Sequence, residues 1–432
     1  MKKSILFGLL VMLLVVSACS DTVYESVYLS TDTDINEATP LTAPDMPLIT
    51  SPTPASAANY FAFRLSATLA SGIDDENFIV SPYSVWLPLM ALMNATDPTI
   101  RTDMLAQLGM EDVSMTEINN AVAYMLSNLQ DEQFRSQHAM LGMEWPQVLH
   151  IANAIFVDYA HTLRTDFSQI FHSYFDGEAM NVDFECPSSA DIVNAWAYEK
   201  TNGRIQDIID EFCEDTAVAI ANAIYFHDGW RNPFRVADTE KGIFNAPVGP
   251  SEVYFMQLEE DQLPYFEDDT LQAVTLHFAH GGGLTILLPR DGDAVALLST
   301  LTYERFAHFR AVSRPHTGRL LLPRFSIEST IDEDLIDALT AMGLEPMFCD
   351  EIAPLSKLVN YNNKGFISDA VQKAMIEVNE YGTTAAAVTV MSITAYSALI
   401  RTEPFEMICD RPFVFVLHRH NQVLFTGVVN QP

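Results

Sequence analysis

The sequence predicts a mixed α+β fold built as one large domain, and three observations lead to that prediction. Apolar residues recur at helical spacing from about Ala57 to residue 150. From Ile151 onward, strand-like apolar runs alternate with helical ones. No internal repeat and no second linker divides the chain. We therefore expect one domain over residues 57–432, which is longer than the usual range for a single core.

The helical part of this prediction depends on spacing and on start signals. Phe61, Leu65 and Leu69 share one face of a helix and predict an amphipathic first helix. Ser81-Pro82 opens a second helical stretch, Tyr83 to Asn94, because proline is well tolerated in a first helical turn. A further helical pattern runs from Ile331 to Met342.

Short apolar runs predict the strands. The clearest cover Ala219 to Phe226, Leu284 to Leu288, Arg319 to Leu322, and Phe413 to Leu417. Gly281-Gly282-Gly283 precedes one of them and indicates a hairpin turn rather than a phosphate-binding loop.

The N-terminus reads as a processing signal followed by a tether. Lys2 and Lys3 precede an apolar run, Ile5 to Val16, that is too short to span a bilayer. Val16-Ser17-Ala18-Cys19 resembles a bacterial lipobox, so residues 1–18 are predicted to be removed and Cys19 to carry lipid. The alternative is an ordinary secretory signal cut near Ala18. Residues 19–56 are rich in Thr, Pro, Asp and Ser and predict an extended, disordered tether.

The remaining cysteines leave two interpretations open. Cys186, Cys213, Cys349 and Cys409 have wide, irregular spacing that fits no metal motif. They are either free buried thiols or up to two disulfides in an oxidising compartment.

Charge and motifs exclude several functions. The net charge is −34, from 57 acidic and 23 basic residues, which argues against nucleic-acid binding because phosphate contacts need a basic surface. Serine-hydrolase, zinc-protease, Walker and dinucleotide motifs are all missing from the sequence, so we expect no enzyme and no cofactor or metal. His418 and His420 flank Arg419 on a predicted loop, where solvated side chains are favoured over a metal pair.

The most informative segment is Glu377 to Thr389. Gly382 can adopt backbone angles closed to other residues and can act as a hinge. Beyond it, alternate residues would share one face of a strand, and all of them are small. They are Thr383, Ala385, Ala387 and Thr389, with Ala386 on the opposite face. A surface loop is the competing interpretation, but this segment is also able to change from a loop into a buried strand.

Several blocks in order resemble the serpin family, from about residue 57 to the C-terminus. The early blocks are Phe61-Ala62-Phe63, Asn77 to Ser84, and Ala152 to Val157. The strongest block is Ala221-Asn222-Ala223-Ile224-Tyr225-Phe226, continuing to Gly229-Trp230 and Asn232-Pro233-Phe234. Leu322-Pro323-Arg324-Phe325, the glycine hinge and Arg411-Pro412-Phe413 follow.

The resemblance implies a serpin fold with about nine helices, three β-sheets and an exposed reactive loop after the hinge. In serpins a target protease cuts that loop and becomes acylated by it, and the loop then enters the largest sheet as a new strand. A non-inhibitory serpin that acts as a binding or chaperone module is the alternative. Such members often carry bulky, charged or proline residues in the hinge, and this hinge does not.

The resemblance also assigns site residues. The region where the large sheet parts is matched by Ser81, Ser84, Asn222, Trp230, Arg324 and Gln372. Glu380 is expected to pair with Arg324. Two positions depart from the family pattern: Gln372 replaces a common histidine, and Tyr381 replaces a common glutamate.

The distance from Gly382 in inhibitory serpins gives Tyr396-Ser397 as the reactive bond, and tyrosine suits a chymotrypsin-like pocket. Ala395 would suit an elastase-like protease and Arg401 a trypsin-like one, and cysteine proteases also form acyl intermediates. The expected partner is therefore a serine protease in a covalent complex with a monomeric chain. Lipid on Cys19 would hold that chain at the outer membrane or cell surface, or on the periplasmic side.

Overall fold

The computed structural model describes residues 9–18 (backbone only), 53–140, 148–201, 203, 205, 208–212, 216–352, 354–360, 365–383 and 404–432. Within these ranges lie ten helices and fifteen strands. The helices are α1 Pro54–Ala70, α2 Pro82–Met93, α3 Pro98–Gln107, α4 Met115–Leu129, α5 Glu132–Met140, α6 Thr165–Phe175, α7 Ser189–Lys200, α8 Ala294–Thr300, α9 Tyr303–Val312 and α10 Glu333–Leu339.

Thirteen of the fifteen strands lie in the C-terminal two-thirds of the chain. They are β1 Leu9–Ala18, β2 Phe78–Val80, β3 Leu149–Asp158, β4 Gly177–Val182, β5 Thr216–Phe226, β6 Glu240–Ala246, β7 Gly249–Glu267, β8 Leu271–His277, β9 Gly283–Pro289, β10 Arg314–Pro323, β11 Phe325–Ile331, β12 Gly365–Val378, β13 Phe405–Ile408, β14 Phe413–Arg419 and β15 Gln422–Val429.

Six strands form the main sheet, in the order β11-β12-β1-β5-β3-β4. The other nine are joined through the long strand β7, which belongs to two sheets. One of these contains β6, β7, β10 and β13, and the other runs β7-β8-β9-β14-β15-β2. The expectation of three sheets and about nine helices is therefore confirmed.

The predicted elements match the structure closely. The first two predicted helices are α1 and α2, and the four predicted apolar runs lie in β5, β9, β10 and β14. The glycine triplet lies at the β8–β9 turn, where Gly281 and Gly282 have positive φ. The third helix is shorter than predicted, because Ile331 ends β11 and α10 begins only at Glu333.

The core lies between the main sheet and the sheet that contains β14 and β15. Every residue of α2 is buried, and this helix packs against β5 and β15. Helix α1 begins with a capping box between Thr53 and Ser56, followed by Pro54 in its first turn. Its Ser66 hydroxyl lies 2.6 Å from that of Thr426 in β15, so this buried polar contact joins α1 to the sheet.

Strand β1 was not foreseen. Residues 1–18 are predicted to be a removable signal, yet in the full chain Leu9–Ala18 forms a strand between β5 and β12. It runs antiparallel to both neighbours. This strand could not be predicted from the sequence, because an apolar run of this length serves equally as a signal or as a buried strand.

The expectation of a loop with solvated side chains was wrong for His418 and Arg419, although His420 does lie in an exposed turn. His418 lies in β14 and is buried, with Nε2 3.2 Å from Thr285 Oγ1, and burial holds its pKa well below the ordinary value. Arg419 is fully buried and donates hydrogen bonds to the carbonyls of Leu129 and Gly281, each 3.0 Å long, and to the carboxylate of Asp131. Apolar flanks in the hairpin bury His418 and Arg419, while His420 at the turn is exposed.

Among the described cysteines, the structure contains no disulfide. Cys409 is buried, and burial raises the pKa of its thiol; Cys186 and Cys349 are partly exposed. Cys213 lies outside the described residues.

We expect the buried Arg419–Asp131 pair to be important for stability. Asp131→Asn should lower the free energy of unfolding by about 3–5 kcal/mol, because it leaves a guanidinium buried without its counter-charge. Glu267→Gln, which breaks the half-exposed pair with Arg290, should cost less than about 1 kcal/mol. Urea unfolding followed by fluorescence compares the two variants. An equal loss in both would contradict a structural role for the buried pair.

Candidate functional site

The hinge follows directly on β12. Gly382 has φ +141°, a conformation that L-residues with side chains rarely adopt. It forms bridges with Gly229 on one side and Asn379 on the other. A Cβ atom at Gly382 would lie 2.3 Å from the carbonyl oxygen of Asp228. Glycine is therefore required both by the backbone angle and by the close approach of the two chains.

Thr383, the next residue, is already paired with the chain that follows β5. Its amide donates to the carbonyl of Asp228 at 3.2 Å, and its side-chain oxygen lies 3.3 Å from the Asp228 amide. Thr383 is fully buried. The first residue beyond the hinge glycine thus lies between the ends of β5 and β12, at the point where an additional strand would begin.

Asp228 is a site residue that sequence reasoning missed. Its side chain is 1% exposed, and its carboxylate accepts hydrogen bonds from the amide of His280 at 3.0 Å and from His280 Nδ1 at 2.8 Å. Burial raises the pKa of Asp228, while the hydrogen bonds from His280 act in the opposite direction. The hinge is therefore tied, through one buried acid, to the turn that follows β8. The only sequence signal was an acidic residue directly after a strongly apolar strand.

The expected acid–base pair is present beside the hinge. Arg324 Nε donates to Glu380 Oε1 at 2.8 Å, and the hydroxyl of Thr239 donates to the same oxygen at 2.6 Å. Burial alone would raise the pKa of Glu380, but the hydrogen bonds from Arg324 and Thr239 outweigh it and hold the pKa below its ordinary value. Glu380 is therefore a carboxylate at neutral pH, and it anchors the start of the hinge to the strands β10 and β11.

Trp230 packs against the hinge. Its ring stacks on Phe278 at 4.8 Å, and its Nε1 donates to the carbonyl of Asn379 at 2.9 Å. Its amide donates to the carbonyl of Tyr381 at 3.0 Å. Tyr381, which departs from the family pattern, is 44% exposed.

The other predicted residues of the opening region meet lower in the main sheet. Gln372 and Ser81 exchange two hydrogen bonds: the Ser81 amide donates to Gln372 Oε1, and Gln372 Nε2 donates to the Ser81 carbonyl, both at 3.0 Å. The Ser81 hydroxyl also donates to the carbonyl of Leu424 and lies 3.4 Å from Ser84. Asn222 donates to Asn153 on β3 at 2.8 Å. An amide at position 372 therefore bridges the sheet to α2 without a histidine.

Gln372 and Asn222 lie in the same row of the main sheet. Met12 of β1 is opposite Gln372 on one side and Asn222 on the other. The two groups of predicted residues thus mark two levels of one feature, the strand position between β5 and β12 that β1 occupies in the full chain; we call this position the gap. The hinge lies above the gap, and the amide pair lies on its edges.

Part of the predicted site falls outside the described residues. This applies to Ala385, Ala386, Ala387 and Thr389 of the hinge, to the reactive bond Tyr396-Ser397, and to Cys19. The part of the chain that the structure describes contains no group of three metal-ligating side chains and no helix long and apolar enough to cross a bilayer.

These features define a class: a large sheet in which two parallel strands, β5 and β12, flank a single strand position, with a glycine hinge above that position. The family model for serpins, described as serine protease inhibitors, matches residues 56–432. The chain belongs to the serpin family.

Three similar proteins place it within that family. An uncharacterised serpin-like protein from Thermococcus kodakarensis is 30% identical over 87% of this chain and 85% of its own length. Human alpha-1-antichymotrypsin is 29% identical over 84% of each chain. The crystal structure of a thermophilic serpin, tengpin, in the native state matches with a TM-score of 0.74 at 25% identity, over 91% of this chain and 98% of that one.

The ionised Glu380 should give the protein a pH-dependent contribution to stability. Its folded pKa lies below the unfolded value of 4.5, so the contribution is complete above that pH and is lost as the pH falls through the folded pKa. At pH 7, Glu380→Gln should lower the free energy of unfolding by about 1–3 kcal/mol. The difference from wild type should shrink steadily below about pH 4.5.

A matched control is Glu328→Gln, which removes the acid of the more exposed pair with Lys373 in the same sheet. This control should change stability by less than about 1 kcal/mol at pH 7. Thermal unfolding across a pH series measures both effects. A difference for Glu380→Gln that persists undiminished at pH 3 would show that the carboxylate charge is not what matters.

Proposed function

We propose that this serpin is a suicide-substrate inhibitor of serine proteases, with chymotrypsin-like proteases as the preferred targets. The observation that carries the proposal is the hinge. Gly382 and Thr383 are already bonded beside Asp228, directly above a gap bordered by the parallel strands β5 and β12. A chain that continues from Thr383 into this gap runs antiparallel to both borders, which gives it hydrogen-bond partners on two sides.

The chemistry uses the protease's own mechanism. The protease serine attacks the carbonyl carbon of Tyr396, the peptide bond to Ser397 breaks, and the amine of Ser397 leaves with a proton delivered by the protease histidine. The Tyr396 acyl group remains as an ester on the protease serine. Insertion of the freed loop then carries the ester-linked protease along the sheet and distorts its active site, so that water no longer hydrolyses the ester quickly.

Strand formation can supply the energy for this movement. Each new backbone hydrogen bond contributes about 0.5–1.5 kcal/mol net, and a strand bonded on both sides gains on the order of ten kcal/mol in total. The small side chains of the predicted hinge favour the insertion, because they pass over a packed core without needing a cavity. They are Thr383, Ala385, Ala386, Ala387 and Thr389.

Target and location follow from the sequence. Tyrosine before the scissile bond suits the deep apolar pocket of chymotrypsin-like proteases. The net charge of −34 would steer basic proteases toward the inhibitor at low ionic strength.

The lipobox-like segment supports removal of residues 1–18 and lipid attachment at Cys19, which would hold the inhibitor at the cell envelope on a tether.

The first test uses the processed chain, which begins at residue 19, and chymotrypsin. We expect a complex that survives denaturing electrophoresis and a released C-terminal fragment that begins at Ser397, identified by mass spectrometry. Tyr396→Arg should transfer trapping from chymotrypsin to trypsin, because the residue before the scissile bond sets the specificity. Cleavage at Tyr396 with fully active protease remaining would instead indicate a non-inhibitory member of the family.

The second test addresses the hinge. Thr383→Arg should turn the inhibitor into a substrate, because insertion would bury an unpaired charge at a fully buried position. The control is Tyr381→Arg, the same substitution two residues earlier at a position that is 44% exposed, which should leave trapping within about twofold of wild type.

For both hinge variants, the measurement is the number of inhibitor molecules consumed for each protease molecule inactivated. This ratio should rise at least about tenfold for Thr383→Arg. Slowing insertion tenfold requires its barrier to rise by only about 1.4 kcal/mol. An unchanged ratio for Thr383→Arg would contradict the assignment of this hinge.

A further inference from the structure

The N-terminal strand β1 occupies the gap that the proposed function needs. Leu9 lies opposite Tyr225 on β5 and opposite Met375 on β12, and the pairing continues down the sheet to Ala18, opposite Gly365. The segment is antiparallel to both neighbours, the same orientation that a chain turning back from β12 would have. It contains no charged residue, which suits a strand with bonded neighbours on each side.

The hinge and β1 are in a shared register, and this shows that they compete for one place. If a chain entering the sheet kept the register of the bridge between Gly382 and Gly229, the residue four positions after Gly382, Ala386, would come opposite Tyr225. The register of the bridge between Gly382 and Asn379 would bring the same residue opposite Met375. Leu9 lies opposite both Tyr225 and Met375. Two independent pairings therefore lead the inserting loop onto the position of Leu9.

We propose that Leu9–Ala18 is a built-in competitor of the reactive loop. While residues 1–18 remain attached, the segment fills the gap between β5 and β12 and keeps the precursor from trapping proteases. Removal of the segment opens the gap and makes the chain competent. The effect on protease trapping rests on the proposed function. The binding of Leu9–Ala18 between β5 and β12 can be tested without it.

The binding of Leu9–Ala18 in the main sheet would also protect the precursor from pairing with other chains. Without an occupant, β5 and β12 would present facing rows of unpaired backbone groups along the centre of the main sheet, and such edges recruit strands from other chains. An apolar segment on the same chain has a high effective concentration and fills the gap before another molecule does.

The experiment uses the full chain, synthesised in a system without signal peptidase. Leu13→Pro breaks the segment at its centre, where the backbone faces Val371 on β12 and Ala221 on β5, because proline cannot donate to a ladder and is excluded from central strands. The control is Ser4→Pro, which places proline before β1 begins. Deuterium uptake at β10 and β14, which do not belong to the main sheet, reports whether each variant has folded.

The first readout is deuterium uptake at Leu9–Ala18 and at the facing amides of β5 and β12. We expect slow uptake in wild type and in Ser4→Pro. Uptake in Leu13→Pro should rise by at least about tenfold, with β10 and β14 unchanged. Fast uptake at Leu9–Ala18 in the folded wild type would overturn the proposal, whatever the protein does to proteases.

The second readout is the change in Tm when the reactive loop is cut by a protease that is then removed. A loop that can enter the sheet should raise Tm by on the order of 10 °C in Leu13→Pro and leave it unchanged in wild type and Ser4→Pro. An equal rise in all three would overturn the proposal, because the loop would then displace the segment freely.

A covalent-complex assay with chymotrypsin separates this inference from the proposed function. Trapping by Leu13→Pro but not by wild type supports both. A rise of Tm in Leu13→Pro alone, with no covalent complex in any of the three chains, supports the competitor and contradicts the inhibitory function. Trapping by wild type and Leu13→Pro at the same rate contradicts the competitor and leaves the inhibitory function standing.

Discussion

The structure depends on one geometric constraint at the centre of its main sheet. β5 and β12 run parallel to each other with room for a single strand between them, and only a strand antiparallel to both completes the hydrogen bonding. Backbone groups in such a place are costly to leave unpaired. The molecule therefore has one central strand position with two candidate occupants from its own chain: the N-terminal segment, which fills it in the full chain, and the loop beyond the hinge.

The residues above this gap control how the loop can enter it. Gly382 makes the sharp approach to Gly229 feasible, and Thr383 is bonded to Asp228, whose carboxylate is held by His280. Glu380 fixes the other side of the hinge through Arg324. These contacts hold the first loop residues at the entrance without filling the gap. The sheet can therefore exist with or without the inserted loop, and a few hydrogen bonds at its entrance separate the two states. Proteins that switch between conformations depend on bistable elements of this kind.

Much of this arrangement could be predicted from the sequence, and the reasons are physical. Gly382 and the small residues beyond it are interpretable because backbone freedom and side-chain size are local properties. Glu380 and Arg324 could be paired only through the resemblance to serpins, since 56 positions separate them. Asp228 was missed because its role depends on His280, which a later turn brings beside it. The buried Arg419 was misjudged because Asp131, its partner, is distant in sequence and reaches it only through the packing of α4 against the hairpin.

Strand β1 shows most clearly what a sequence pattern alone cannot predict. An apolar run of about ten residues satisfies the requirements of a signal peptide and those of a central strand equally well, so its composition cannot decide between them. The register decides that Leu9–Ala18 fits the gap, and register is a property of three strands that come from distant parts of the chain. In our proposal the two roles follow each other in time: the segment fills the gap until it is removed.

The central claim is that inhibition works by insertion of the loop between β5 and β12. β12 contains 14 residues, so insertion over its whole length should carry an acylated protease about 45 Å from the hinge end of the sheet to the opposite end. Energy transfer between a donor on the protease and an acceptor on Ser356→Cys tests this directly. Ser356 is exposed and follows Leu355, which is bonded to Gly365 at that far end. Cys19, Cys186, Cys213 and Cys349 are replaced by serine, so that Ser356→Cys supplies the labelling site while Cys409 stays buried. We expect strong energy transfer in the covalent complex; weak transfer, from a donor that stays near the hinge, would contradict the account.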